Sequence, residues 1–298
     1  MVFHPPVQIV AKAGDAGKYK VALPWWNMIL RGFMSGAYIA MGGALATVCS
    51  TGVQAADATV RYGFQSAGIS ALVTGAVFPV GLIITVLTGA ELFTGDAMLA
   101  PMAAFIHKIS WAQVFNLWIW VYIGNLIGSI VYAYIMTMGP FTSVNATTGA
   151  VTATAFGLRA IAIAGFKVQY ALIPAAMWSA FLKAVGCNWL VNLAILLGIC
   201  ADDLIGKFFG IWFPIMAFVS TGFEHSIANQ YFISAGILML PYADPTAVSG
   251  YLGIANLNWV GFWLNNMIIV TIGNIVGGMI FVGVLYWVAF RKEIAALK

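Results

Sequence analysis

Five stretches of this 298-residue chain contain no Asp, Glu, Lys or Arg: residues 32–56, 63–90, 109–139, 184–201 and 245–290. A domain surrounded by water cannot carry such runs, because roughly 25% of its residues are charged and spread over its surface. Here 7% of residues are charged and 62% are hydrophobic. That balance excludes an ordinary soluble enzyme, and the same apolar, aromatic composition excludes disorder. A membrane-crossing helix needs about 20 mostly apolar residues. The runs therefore predict an all-α membrane protein with helices at about 27–49, 67–106, 112–138, 175–200, 208–239 and 260–290. Residues 1–298 read as a single six-span transmembrane domain, with segment 1–26 before the first span and a Thr- and Ala-rich connection at 140–172.

An even number of spans puts both termini on one side. Placing them inside gives the cytoplasm Lys12, Lys18, Lys20, Arg31, Lys108, Lys207, Arg291, Lys292 and Lys298. Arg61, Arg159, Lys167 and Lys183 then fall outside or at outer helix ends, and segment 140–172 lies across the outer surface. This bias satisfies the positive-inside rule. The scattered basic residues form no nucleic-acid patch. The first 20 residues lack an apolar core, so no cleavable signal is expected and the first helix serves as its own insertion signal. Cys49, Cys187 and Cys200 lie far apart without metal spacing and read as packing residues, and neither a metal nor a cofactor is expected.

The second and fifth helices are unusual. Glu91, Thr94, Gly95 and Asp96 interrupt one, and Thr221, Gly222, Glu224 and His225 interrupt the other. A carboxylate at the bilayer centre costs about 2.5–3.5 kcal/mol on insertion scales. Gly and Thr beside such groups predict broken helices, whose irregular backbone must line a cavity or be buried in protein.

The two breaks are related. Thr88-Gly89-Ala90-Glu91 recurs as Thr221-Gly222-Phe223-Glu224, and Ile123-Gly124-Asn125 recurs as Ile272-Gly273-Asn274. The matches occur in the same order on corresponding helices. A repeat of three helices forces the two halves into opposite orientations, the inverted plan in which broken helices meet near the midplane. Gly32/Gly36 and Gly273/Gly277 form two GxxxG pairs, suited either to packing within the chain or to a subunit interface.

His225 is the one histidine inside a predicted span. An imidazole there can donate a hydrogen bond to an anion or pass it a proton, and either lowers the cost of stripping its water. Thr94 offers a hydroxyl to an anion or to the imidazole. Glu224 reads as a buried structural acceptor, since a bare carboxylate would repel an anion. Leu82, Leu92, Phe93, Phe78 and Phe218 are candidates for an apolar constriction.

The strings GAELFTGD (89–96), CNWLVNLA (187–194), GFEHSIAN (222–229) and IGNIVGG (272–278) resemble the formate/nitrite transporter family, in its formate branch. The resemblance implies an aquaporin-like six-helix protomer and a homopentamer with one pore per subunit. It implies that His225 is the central pore histidine, Thr94 the loop threonine, and Asn188 and Asn229 the pathway asparagines. Leu82, Leu92 and Phe93 would form the cytoplasmic constriction, and Phe78 and Phe218 the outer one. Glu91 and Glu224 are the structural polar residues of the breaks. Lys167 matches the outer vestibule lysine, with Lys183 as the alternative.

The expected activity is passage of formate, a small monovalent anion, with or without a proton, across a cell membrane. Nitrite or hydrosulfide would suit the same pore. A haem- or quinone-binding redox subunit would want paired intramembrane histidines, which this chain lacks. Water and glycerol channels share the architecture, but no Asn-Pro-Ala triplet occurs.

Overall fold

The computed structural model describes residues 3–51, 67–170 and 173–297. Its elements in chain order are α1 (Pro6–Val21), α2 (Trp25–Ser50), α3 (Ala67–Val77), α4 (Val80–Thr88), α5 (Phe93–Phe105) and α6 (Trp111–Met138). A short antiparallel hairpin follows, β1 (Thr142–Val144) with β2 (Val151–Ala153), in the register Thr142 to Ala153. Then come α7 (Ala155–Val168), α8 (Pro174–Cys200), α9 (Leu204–Ser220), α10 (Ser226–Met239) and α11 (Pro245–Val248). The last helix, α12 (Trp259–Ala296), is continuous and contains π-helical stretches at Trp263–Met267 and Val276–Val284.

Among the described residues, five helical segments are long and apolar enough to cross a membrane: Trp25–Ser50, Gly68–Thr88, Trp111–Met138, Pro174–Cys200 and Trp259–Ala296. The sixth expected crossing is divided between α9 and α10. Both expected breaks are present, at Gly89–Leu92 and Thr221–His225. Each turns on a glycine in the left-handed region, Gly89 at φ 76° and Gly222 at φ 71°, which a side chain would strain. A further bend at Phe78–Pro79 separates α3 from α4. Large apolar side chains such as Phe115, Trp178, Phe213 and Leu264 stay exposed on the outside of the bundle, as lipid or a neighbouring subunit requires.

The repeat is larger than its three crossing helices. The amphipathic α1 packs on the half-helix α5, and α7 packs on the half-helix α10. Neither α1 nor α7 is legible as a span. Segment 140–172 is accordingly no simple surface loop: its second half is a helix that buries Gly157, Ala160, Ile161, Ala164 and Gly165. Segment 1–26 likewise holds a helix, with Val10, Ala13, Gly14 and Gly17 buried.

Both GxxxG pairs are consumed inside the chain. A methyl on Gly32 would lie 2.8 Å from the Val121 carbonyl and 3.1 Å from the Gly124 Cα of α6. A methyl on Gly273 would meet Ala184 and the Phe181 carbonyl of α8, the latter at 2.7 Å. These faces bring α2 onto α6 and α12 onto α8, so they are not subunit contacts.

Candidate functional site

Two asparagines show how the breaks are held. Asn125, buried on α6, donates from Nδ2 to the carbonyls of Gly32 (2.8 Å) and Glu91 (2.9 Å) and accepts from the Phe93 N–H (3.0 Å). Asn274, buried on α12, donates to the carbonyls of Ala184 (2.8 Å) and Glu224 (2.9 Å) and accepts from the Ser226 N–H (2.8 Å). Backbone bonds repeat the pattern: Glu91 N–H donates to the Arg31 carbonyl at 3.2 Å, and Glu224 N–H to the Lys183 carbonyl at 3.3 Å. In each half, one side-chain amide therefore does the work of the helix hydrogen bonds that the break removes.

The carboxylates of the breaks are neutralised by the amphipathic helices. Glu91 pairs with Lys20 of α1, which also lies 3.0 Å from Asp96, and Arg31 approaches Glu91 at 3.8 Å. Glu224 accepts from Lys167 of α7 (2.9 Å), from the Tyr170 hydroxyl (2.8 Å) and from Asn229 (2.6 Å). A buried carboxylate is tolerable only when paired and hydrogen-bonded in this way.

At the centre the two half-helices meet by their N-termini. Thr94, in the first turn of α5, lies 2.9 Å through Oγ1 from Nε2 of His225, the residue that caps α10. These positions are 131 residues apart in sequence. The other ring nitrogen, Nδ1, accepts from the Ala228 N–H at 3.0 Å. An acceptor nitrogen carries no proton, so the neutral ring is protonated at Nε2 and donates there to Thr94. Two helix N-termini, each with a partial positive charge, thus converge on one buried donor. That arrangement suits a small anion.

A cavity of about 910 Å³ leads to this point. Phe78, Phe218, Lys167, Glu224, His225 and Asn229 are among its lining residues. Phe218 stacks over the His225 ring (centroids 5.7 Å apart, planes 22° apart) and meets Phe78 edge-on at 5.8 Å. Thr94, Leu82, Leu92 and Phe93 are buried beyond the cavity. Leu92 holds the α5 position equivalent to that of His225 on α10, the residue before the first helical turn.

Asn188, like Thr94, is outside the cavity lining. Its Nδ2 bonds the carbonyls of Thr94 (3.0 Å) and Asn274 (2.7 Å), and Asn192 donates to the same Thr94 carbonyl at 3.1 Å. Lys183 also lies off the cavity, with its ammonium 3.4 Å from the Tyr170 oxygen and 5.0 Å from the ring centroid. Of the two lysine candidates, Lys167 is the one at the cavity. Sequence reasoning missed Tyr170, Lys20 and Asn192 as site residues. It noted Asn125 and Asn274 only as repeat markers, although their duplication was a usable signal.

A chain with two half-helices meeting nose to nose inside a bundle of crossing helices is a membrane transport protein in architecture. It belongs to the formate/nitrite transporter family, whose model matches residues 7–288. A probable formate transporter of Methanothermobacter thermautotrophicus is 40% identical over 98% of both chains. The formate channel FocA of Escherichia coli K12 is 31% identical over 97% of this chain and 95% of its own. A solved pentameric formate channel with formate bound is similar at a TM-score of 0.71 and 33% identity, covering 90% of this chain and 98% of that one.

Proposed function

We propose that this protein is a channel for small monovalent anions, formate first, with one pore through each protomer of a homopentamer. It sits in the cell membrane with both termini cytoplasmic, as the distribution of basic residues supports. Residues 1–298 act as one transmembrane domain, and α7 of segment 140–172 walls the outer vestibule. The observation that carries the reading is the junction of α5 with α10, where Thr94 and His225 close the end of the cavity.

An anion entering the vestibule meets Lys167 first and Asn229 close by. Phe78 and Phe218 then strip its water. His225 offers the Nε2–H as its replacement partner, giving up Thr94 to do so. Leu82, Leu92 and Phe93 form the second apolar ring on the far side. Glu91 and Glu224 serve as neutralised anchors of the breaks, Glu224 at the cavity wall, and Asn188 holds the Thr94 backbone in register.

The Ala228 bond bears on proton transfer. A neutral ring that gave its Nε2 proton to formate would become an imidazolate, which does not persist near neutral pH. Donation of the proton requires prior protonation at Nδ1, which breaks the cap of α10. The resting geometry therefore favours hydrogen bonding over proton delivery. It also disfavours haem ligation, because both His225 nitrogens are already engaged. Nitrite and hydrosulfide fit the same path.

Formate uptake into proteoliposomes tests the reading. His225→Asn should lower flux about tenfold or more, the worth of one hydrogen bond to a charged group, with the pH dependence unchanged. Native mass spectrometry should show pentamers. Undiminished flux through folded His225→Asn protein would refute the pore role.

A further inference from the structure

The anchors of the two breaks are built alike but charged differently. The repeat aligns GAELFTGD (89–96) with GFEHSIAN (222–229), so Asp96 stands where the second half has Asn229, each five residues after its glutamate. Lys20 of α1 and Lys167 of α7 hold matching places against Glu91 and Glu224. In the second half the Asn229 amide completes the anchor by donating to Glu224 at 2.6 Å. An ionised Asp96 has no proton to donate and repels Glu91 instead. Asp96 is fully buried in the first turn of α5. Its Oδ1 lies 3.0 Å from the Lys20 ammonium, and its Oδ2 has no hydrogen-bond partner among the described residues. One ammonium thus faces two carboxylates. Arg31 of α2, which donates to the Tyr19 hydroxyl at 3.2 Å, stands 3.8 Å from Glu91. The other elements packed on this turn face it with uncharged groups. Trp118 of α6 donates from Nε1 to the Asp96 carbonyl at 3.0 Å, Asn188 and Asn192 of α8 hold the Thr94 carbonyl, and the neutral ring of His225 bonds the Thr94 hydroxyl. The α12 stretch Val276–Val284 carries only glycine and apolar side chains, and Asp15 pairs with Lys108 at the other end of α5.

We propose that Asp96 is a proton-binding site: near neutral pH its Oδ2 carries a proton and serves Glu91 as the Asn229 amide serves Glu224. Two carboxyl groups that share one ammonium away from water do not both ionise. A protonated carboxyl is a donor as well as an acceptor, so the bare Oδ2 gains the means to bond its neighbour. The protonated anchor then sets one carboxylate against the lysine of its amphipathic helix, as the second half does. Loss of the proton to water adds a buried negative charge to the turn that carries Leu92 and Phe93. In its effect on flux the proposal rests on the channel reading above. There the added charge opposes an anion at the second apolar ring, so formate passage falls as the proton leaves, whether or not His225 is present. The proton site itself does not depend on what the pore conducts.

Infrared difference spectra of the full-length protein in lipid, taken between mildly acidic and alkaline buffer, test the site directly. Wild type should lose a carboxylic-acid carbonyl band on going to alkali, and Asp96→Asn should lack that band from the start. A wild-type spectrum without such a band, or a band untouched by Asp96→Asn but abolished by Glu91→Gln, would overturn the proposal. Stability gives a second reading. A native state that keeps a proton which the unfolded chain has released loses stability as pH rises. The unfolding midpoint of wild type should therefore fall from acid towards alkali, and Asp96→Asn should flatten that fall while matching wild type in acid, because the amide mimics the acid. An Asp96→Asn protein markedly less stable than wild type in acid would also overturn the proposal. In proteoliposomes the ratio of formate uptake in acid to uptake in alkali should drop about twofold or more in Asp96→Asn, as the removal of one partly screened charge predicts. Wild-type vesicles that pass no formate at any pH would sink the channel reading and leave the infrared result standing.

Discussion

Replacing Asn274 by leucine tests the account of how the breaks are held. Leucine has the same branching and number of side-chain heavy atoms as asparagine but can neither donate nor accept. Three hydrogen bonds disappear, to the Ala184 and Glu224 carbonyls and from the Ser226 N–H. The Ala184 carbonyl lies within α8 and keeps its helical role, so its loss is small. The Glu224 carbonyl and the Ser226 N–H lie in and beside the break, away from water. Leaving each unpaired costs about 1–3 kcal/mol, or about 2–6 kcal/mol together. Native stabilities are of order 5–15 kcal/mol, so a mid-range loss of about 4 kcal/mol is severe. At roughly 2–4 °C per kcal/mol for chains somewhat smaller than this one, the unfolding midpoint should fall by about 8 °C or more. Thermal unfolding of detergent-solubilised protein, followed by tryptophan fluorescence, reads it directly. Asn125→Leu should produce a drop of similar size, because its three bonds are the counterparts in the other half. A shift below about 2 °C in both variants, less than the cost of one unpaired group, would refute the claim that these amides carry the breaks.

Two further perturbations probe the packing and the anchor. Gly32→Val should force α2 from α6, because backbone atoms stand at 2.8 Å and 3.1 Å from the new Cβ; a loss of about 1–3 kcal/mol or more is expected from overpacking. Gly68→Ala, with nothing within 4 Å, is the control, and equal midpoints for the two variants would contradict the close approach. Tyr170→Phe removes one donor to the Glu224 carboxylate and should cost about 1.5–3 kcal/mol, as for hydrogen bonds to charged groups. An unchanged unfolding midpoint would mean that the phenol does not hold the anchor.

The legible part of the fold was the part written as long apolar runs. α2, α6, α8 and α12 begin and end within a few residues of the expected limits because hydropathy alone sets a span. The breaks were legible for the opposite reason, since Glu91 and Glu224 stand where lipid forbids them. α1 and α7 were not legible as packed helices. α1 carries Lys12, Asp15, Lys18 and Lys20 on a helix whose buried stripe is made largely of Gly and Ala, so nothing distinguishes it from a polar tail. α7 hides behind a Thr-rich approach in the same way. His225 and Thr94 could each be suspected from location, but their hydrogen bond joins the two halves of the chain and depends on how the repeats dock. The backbone-holding role of Asn188 left no local trace, because an asparagine that lines a pore and one that braces a carbonyl look alike in sequence.

The equivalence of Leu92 and His225 has a kinetic consequence. Two nearly matched scaffolds hold chemically opposite residues at the same place, one side chain with no polar atom and the other with two ring nitrogens. On the proposed path, an ion arriving from the vestibule meets the donor before the oily ring; one arriving from the far side meets the ring first. Microscopic reversibility forbids this asymmetry from shifting the resting balance of a passive pore. It can only make the two directions saturate at different concentrations, so the duplicated scaffold yields a conductor that rectifies without pumping.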